Sequence, residues 1–145
     1  MKLSSRFRFG VRIMLHMALT EPGKPLLARQ LAAEQGITPK YTDQLLFALR
    51  TGNLLVSQRG RSGGFLLARP PAKITVFEIF EVLEGTVALA DSIDRSGRSG
   101  REIDHVTHQV WTTLAKTMRK ALQEITLAGL VDMQRQQLKT VDYSI

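Results

Sequence analysis

Proline and glycine divide the first 70 residues into short segments, and this division restricts the fold more than any other feature of the sequence. The segment 21–25 holds Pro22, Gly23 and Pro25, and a helix cannot continue through it. Gly36 and Gly52 then follow two more segments with helical spacing. The chain before residue 53 is therefore predicted to form three short helices.

The apolar residues of these segments recur at the spacing of one helical face. The first segment runs from Leu3 to Leu19, and Ser4 or Ser5 is its expected N-cap. The third begins with Thr38 as N-cap and Pro39 in the first helical position. The residues predicted to face the core are Phe7, Val11, Met14, Leu15 and Ala18 in the first helix, Leu27, Leu31 and Ala32 in the second, and Tyr41, Leu45, Leu46 and Leu49 in the third.

A hairpin is predicted directly after the third helix. Residues 54–57 and 64–68 are typical of short strands, and they flank a basic, glycine-rich segment with Arg59 and Arg61 at its tip. The second and third helices, joined by a turn with a glycine, indicate a helix-turn-helix. A hairpin after such a motif is typical of a winged helix, whose second helix can enter a major groove. The predicted fold class is mainly α with a small β wing.

The residues after the wing predict a loop and a long helix. Thr75 is the expected cap of a helix over 76–83, and Glu78 completes a capping box. An apolar stripe then runs from Asp104 to Ile125 over about six helical turns. A small winged-helix body cannot cover a stripe of this length, so a second copy of the chain, and hence a homodimer, is expected. The stripe consists of Val106, Val110, Leu114, Met118, Leu122 and Ile125.

Four regions follow from these elements. The long Gly-, Ser- and charge-rich stretch before the stripe is typical of a functional or disordered segment. A last short helix is expected from Thr126 through Val131, followed by a polar tail. The regions are a winged helix-turn-helix DNA-binding region at 1–85, a sensor or effector loop at 86–103, a dimerisation helix with the short final helix at 104–132, and a mobile tail at 133–145.

The positive charge is confined to the N-terminal half. The chain carries 20 Lys and Arg against 13 Asp and Glu, a net charge of +7. Residues 1–75 hold twelve of these cations against three acids, a net charge of +9, whereas residues 76–145 hold eight against ten, a net charge of −2. A basic half beside a nearly neutral half indicates a surface for a polyanion, with double-stranded DNA as the expected partner.

Composition excludes several classes of protein. The sequence has no cysteine, so it forms no disulfide scaffold, no thiolate nucleophile, no Cys-ligated zinc finger and no all-cysteine iron–sulfur site. No apolar run approaches the roughly 18 residues of a membrane span, and arginines interrupt the first apolar stretch, unlike a signal peptide. A cytoplasmic protein without a membrane partner is expected. The carboxylates are scattered and no nucleotide-binding loop follows a strand, so no enzyme is predicted.

Several groups of residues follow one another in a specific order. They are Met1-Lys2-Leu3-Ser4-Ser5 with Gly10-Val11-Arg12, Ile37-Thr38-Pro39-Lys40-Tyr41 with Gln44-Leu45-Leu46 and Leu49-Arg50, Arg59-Gly60-Arg61-Ser62-Gly63-Gly64-Phe65 with Leu67-Ala68-Arg69-Pro70, Ile74-Thr75-Val76 before Glu84-Gly85, and Ile125-Thr126-Leu127. The series, which covers residues 1 to about 132, resembles the Rrf2 family of bacterial winged-helix regulators. That family contains an iron–sulfur cluster regulator, a nitric-oxide-sensing repressor and a cysteine-metabolism repressor.

The resemblance implies a homodimeric transcription regulator, with repression as the expected outcome, on a pseudo-palindromic operator. In many members of that family, a 2Fe–2S or 4Fe–4S cluster senses redox state, nitric oxide or cluster supply. The positions matching the three cluster cysteines are Ser92, Ser99 and His105, and His108 matches a further histidine ligand. A serine hydroxyl is not a thiolate, so the usual cluster does not form in this chain. A natural member without a cluster, a member that senses another small-molecule or protein effector in this loop, and an engineered Cys→Ser variant all stay open.

The expected DNA-binding residues lie in the third helix, the wing and the basic residues nearby. In the third helix, Gln44 is suited to adenine and Asp43 to cytosine, and the resemblance strengthens both assignments. Arg59 matches a position that the family uses at DNA. The main set is Lys2, Arg8, Thr38, Lys40, Tyr41, Asp43, Gln44, Arg50, Arg59 and Arg61. Arg6 and Arg12 in the first helix are further candidates for contact with the DNA backbone.

Simpler interpretations of the same residues exist. In these interpretations, the exposed face of the third helix is an ordinary solvated surface, and the arginines of the wing only increase solubility. His105 and His108 lie one turn apart, where they are able to ligate a metal with Asp91, Asp94 or Asp104, although such pairs are often incidental. A basic RNA-binding or adaptor module is the alternative function, and it predicts no symmetric duplex site.

Overall fold

The computed structural model describes residues 3–85 and 102–144, without the side chains of 102–105. These residues form six α-helices, a 3-10 turn and a two-stranded sheet. In chain order they are α1 (Ser5–Leu19), α2 (Ala28–Gln35), α3 (Pro39–Thr51), β1 (Leu55–Gln58), β2 (Gly64–Leu67), the 3-10 turn Pro71–Lys73, α4 (Val76–Glu84), α5 (Glu102–Glu124) and α6 (Leu127–Tyr143). The mainly α fold with a small β wing is confirmed.

Local capping determines where the helices begin. The Ser4 hydroxyl caps α1 by accepting from the amide of Phe7 at 3.1 Å. Thr38 caps α3 in the same way, with Pro39 in the first turn, and Thr75 and Glu78 form the predicted capping box of α4. Gly36 ends α2 in the left-handed conformation, with a φ of 64° that glycine adopts without strain. These boundaries are confirmed. The sequence predicts them because they depend on contacts within a few residues.

The buried face of α1 differs from the predicted one. Val11, Leu15 and Ala18 are only half-buried, and the buried residues of α1 are Phe7, Gly10, Ile13, Met14 and Met17. Gly10 explains the difference, because an added Cβ there would overlap the side chain of Leu83 in α4. The closest helix contact therefore lies at a residue without a side chain, which a search for apolar residues overlooks.

The wing is a short antiparallel hairpin attached to the segment before α2. Leu55 pairs with Leu67 and Gln58 with Gly64, so the tip spans residues 59–63. The backbone of Phe65 exchanges two hydrogen bonds with Leu26, at 2.8 and 3.0 Å. An added Cβ on Gly64 would lie 2.6 Å from the carbonyl oxygen of Leu26, so this approach requires glycine. The observed strands differ from the predicted ones by one residue at three of their four ends.

The C-terminal region is more helical than predicted. The predicted short helix ending near Val131 is corrected by α6, which continues to Tyr143. The physical reason is that residues 130–145 contain neither glycine nor proline, and that the Gln, Leu, Lys, Met and Arg residues of this segment have high helix propensity. The predicted mobility of residues 133–145 stays a prediction. The long helix α5 begins at Glu102 rather than at Asp104. Residues 86–101 of the predicted loop lie outside the described residues.

A single core joins the described elements. It contains residues from α1, α3 and α4, and Leu127 at the start of α6 is fully buried in it. Within the described ranges, no helix combines the length and apolar character that a membrane crossing requires.

Candidate nucleic-acid interface

Helix α3 has one buried and one exposed face. Leu45, Leu46 and Leu49 are fully buried, and Thr42 is buried with its hydroxyl donating to the carbonyl of Thr38 at 3.0 Å. The packing of this face fixes the rotation of α3 on the body. As a result the opposite face points into solvent, and it carries Lys40, Asp43, Gln44, Phe47 and Thr51.

A wide groove of about 1010 Å³ lies along this exposed face. Lys40, Asp43 and Gln44 line it from α3, and Arg6 lines it from α1. Thus three charged side chains and one amide side chain meet along one groove, and three of these four were the predicted DNA contacts of the third helix. Arg6 was expected as one of the nearby basic residues that contact the DNA backbone, and the packing of α1 beside α3 brings it to the groove. The remaining lining residues are Phe47, Ala48, Thr51, Gly52 and Val82.

Phe47 is the functional candidate that the sequence analysis missed. Its side chain is 62% exposed, although the other large apolar residues of α3 are buried. The Arg50 guanidinium lies 5.7 Å from the centre of its ring, within cation–π range. The helical spacing of Lys40, Gln44 and Phe47 places them on one face, which is the feature that identifies Phe47 in the sequence.

Tyr41 connects the first turn of α3 to α1. It is half-buried, and its ring meets the ring of Phe9 edge to face with 6.1 Å between their centres. Arg12 in turn lies 5.3 Å from the Phe9 ring centre. Tyr41 therefore packs against the body, and this contact holds the start of α3 against α1.

The basic residues predicted for DNA contact are exposed where the structure describes them. Arg59 and Arg61 lie in the wing tip, and Arg8 and Arg50 are exposed on α1 and α3. Thr38 is an exposed N-cap at the start of α3. The four arginines contribute to the N-terminal excess of positive charge. Lys2 lies outside the described residues.

Arg69 is a cation whose role is structural. Its guanidinium donates to Glu78 at 2.6 Å and to the Lys73 carbonyl at 2.8 Å. Burial alone raises the pKa of Glu78, but hydrogen bonds from Thr75 and Arg69 and the charge of Arg69 outweigh burial and leave that pKa below its usual value. Arg69 therefore holds the base of the wing to α4.

The predicted cluster positions do not supply a thiolate ligand set. Ser92, Ser99 and the side chain of His105 lie outside the described residues, and His108 is exposed on α5. Within the described ranges, no three His, Cys, Asp or Glu side chains come together as metal ligands. The chain contains no cysteine, so its donor atoms do not fit a cluster held by sulfur.

Comparison with known proteins identifies a consistent group of relatives. The sequence profile of the Rrf2 family, described as an iron-dependent transcriptional regulator, matches residues 3–133. The HTH-type transcriptional regulator IscR of Cronobacter sakazakii is 32% identical over 134 residues, which cover 92% of this chain and 82% of that protein.

Two solved structures share the fold over nearly the whole chain. CymR, the global cysteine regulator of B. subtilis, has a TM-score of 0.77 at 27% identity, over 92% of this chain and 98% of that one. IscR of T. potens has a TM-score of 0.76 at 32% identity, over 92% of this chain and 88% of that one. Both similarities extend well beyond the winged helix-turn-helix.

Proposed function

The chain belongs to the Rrf2 family of transcriptional regulators, and from this membership we propose that it represses transcription as a homodimer bound to a pseudo-palindromic operator. The exposed face of α3 enters the major groove, and the wing tip contacts the neighbouring backbone or minor groove. The observation that carries the proposal is the groove where Lys40, Asp43 and Gln44 meet Arg6. Donors, an acceptor and cations on one helix face are what base-edge and phosphate contacts require.

The dimer rests on the exposed part of α5. Met118 and Leu122 of the apolar stripe pack against the core, but the stripe continues beyond the body. Its outer part is exposed in the single chain, by 63% at Val106, 56% at Val110 and 47% at Leu114. A second copy of α5 provides a matching apolar surface. In such a dimer two α3 helices enter successive major grooves about 34 Å apart.

We infer a member of the family that works without a thiolate-held cluster. The absence of cysteine leaves Ser92, Ser99, His105 and His108 as the only groups at the matching positions, and hydroxyls are poor substitutes for thiolates. The sensor or effector role of residues 86–103 stays a prediction. If an effector binds there, it acts by shifting the dimer between geometries that match and do not match the operator.

The RNA-binding or adaptor alternative is not favoured. Both functions use the same basic surface, but only duplex recognition needs a polar face on one helix and a second copy of the chain at a fixed spacing.

Selection from a random duplex pool tests the proposal. We expect the full chain to enrich a two-fold symmetric sequence with half-sites one helical turn, about 10 base pairs, or a multiple of that apart. Transcription in vitro from a promoter that overlaps this sequence is expected to fall as protein is added. Enrichment of no sequence, or equal affinity for single-stranded RNA of the same length, would contradict the proposal.

A further inference from the structure

Phe47 is an exposed aromatic residue on an otherwise polar helix face. Phe47 is 62% exposed. Asp43 and Gln44 beside it are also exposed, but their polar groups can form hydrogen bonds with water or with DNA. An isolated apolar side chain on a surface needs no special explanation. Phe47, however, lines the same groove as Gln44 and Lys40, so its surroundings are those of the proposed base-contacting surface.

The position of Phe47 along α3 places it between one and two base-pair steps beyond Gln44 if α3 follows the major groove. It lies three residues after Gln44, and a helix rises about 1.5 Å per residue. The two side chains are therefore displaced by roughly 4.5 Å along the helix axis, compared with about 3.4 Å between stacked bases. A base pair next to the one that Gln44 contacts lies within reach of the ring.

The surroundings of Phe47 favour DNA over a protein partner. Asp43 is the single acid among the residues lining the groove, and Arg6 and Lys40 are its cations. The Arg50 guanidinium, 5.7 Å from the ring centre, adds another positive charge beside the ring. An apolar ring among cations suits a partner with an apolar group surrounded by phosphates. In the major groove the thymine C5-methyl group is such a group.

We propose that Phe47 contacts the C5-methyl group of a thymine in each half-site and so determines specificity at that position. The inference rests on the proposed DNA-binding function and adds one named base contact to it. A phenyl ring has no hydrogen-bond donor or acceptor for the other base edges. It gains free energy from a methyl group by excluding water from both surfaces.

Deoxyuridine substitution isolates this contact, because deoxyuridine differs from thymidine by the methyl group alone. Each thymine of the selected operator is replaced in turn, together with its symmetry mate. We expect one pair of replacements to weaken binding of the unmodified protein by about fourfold for each methyl group. Phe47→Ala and Phe47→Ser are expected to bind the thymine and deoxyuridine duplexes equally well.

Leu138→Ala is the matched control, since Leu138 is 57% exposed on α6, outside the groove. It is expected to keep the full preference for thymine. The inference is overturned if no replacement weakens binding, if Phe47→Ala keeps the preference, or if Phe47→Ala is monomeric where the unmodified protein is dimeric. Failure to select any operator would contradict the proposed function instead, and so the two failures are distinguishable.

Discussion

The backbone amide of Leu127 donates a hydrogen bond to the carbonyl of Ile74 across 2.9 Å. Close by, the amide of Val76 donates to the carbonyl of Ile125 at 2.8 Å. Ile74 and Leu127 are both fully buried, so these bonds lie at the edge of the core. They attach the C-terminal end of α5 to the start of α4. One end of α5 is thereby held against α4, and in the proposed dimer this attachment influences the distance between the two α3 helices.

Val110→Asp combined with Leu114→Asp is expected to convert the proposed dimer to a monomer. Both residues lie on the exposed part of the α5 stripe, and a carboxylate buried in an apolar interface without a partner is strongly unfavourable. Sedimentation equilibrium gives the mass, and circular dichroism checks that the chain is folded. Lys116→Asp, at an exposed position of α5 away from the stripe, is the control and should stay dimeric. A variant that keeps the mass of a dimer would exclude this surface as the interface.

Gln44→Ala and Arg59→Ala are each expected to weaken operator binding by about 1 to 3 kcal/mol if they contact bases. Gel-shift titrations on the selected operator and on a random duplex separate the two kinds of contact. A base contact affects the operator more. Equal losses of affinity on both duplexes would mean phosphate contact alone. In that case the slope of log K against log salt concentration is also expected to become shallower by about one. Lys139→Ala on α6 removes a remote exposed cation and is expected to leave both affinities unchanged.

Gly52→Ala is expected to destabilise the chain by about 1 to 3 kcal/mol. An added Cβ at the end of α3 would overlap the side chain of Val82 in α4. The φ of −79° at Gly52 is open to any residue, so the effect comes from the overlap and not from the backbone. Urea unfolding measures the loss. Adding Val82→Ala removes the overlapping atoms, so the pair should be less destabilised than the separate effects predict. Additive effects in this cycle would contradict the overlap.

The fold was predictable where the determinants are local. Thr38 with Pro39, the Thr75–Glu78 box and Gly36 each define a helix end through contacts within four residues. The buried face of α1 was not predictable in this way, because the contact that orients this helix joins Gly10 and Leu83, which are far apart in sequence.

The same distinction applies to the candidate site. Lys40, Asp43 and Gln44 were found from helical spacing together with the family resemblance, and they do line one groove. Arg6 was expected only as a contact to the DNA backbone, and its place in this groove depends on the tertiary packing of α1. Phe47 was missed because helical spacing leaves it off the predicted core face, and a single exposed apolar residue does not by itself indicate a function.

Protein purified without oxygen is expected to be colourless and to contain no stoichiometric iron, because the chain has no thiolate to hold a cluster. Visible absorption and iron analysis measure this, and the operator affinity is expected to be unchanged by an iron chelator or by nitric oxide. A variant with Ser92→Cys, Ser99→Cys and His105→Cys shows whether the loop is a lost cluster site. Colour and iron in this variant alone would indicate that it is. Iron in the unmodified chain would contradict a cluster-free regulator.

Glu78→Gln is expected to lower stability near neutral pH and to have no effect in acid. Because the pKa of Glu78 in the folded chain lies below that of an unfolded glutamate, about 4.3, its carboxylate contributes stability that is complete above the unfolded pKa and is lost as the pH falls through the folded one. The side chains of Arg69 and Glu78 are 40% and 31% exposed, so the ion pair contributes no more than about 1 kcal/mol.

Variants of Glu78 and Thr75 distinguish the stability contributed by the charge of Glu78 from that contributed by the capping hydrogen bonds. Glutamine keeps an oxygen that can accept from the amide of Thr75, whereas Thr75→Ala removes the cap itself and is expected to cost about 0.5 to 2 kcal/mol at both pH values. Urea unfolding at pH 7 and pH 3 compares the two variants, with Glu34→Gln on the exposed side of α2 as the control. A loss for Glu78→Gln that is equally large at pH 3 would show that packing, and not the charge beside Arg69, holds the wing to α4.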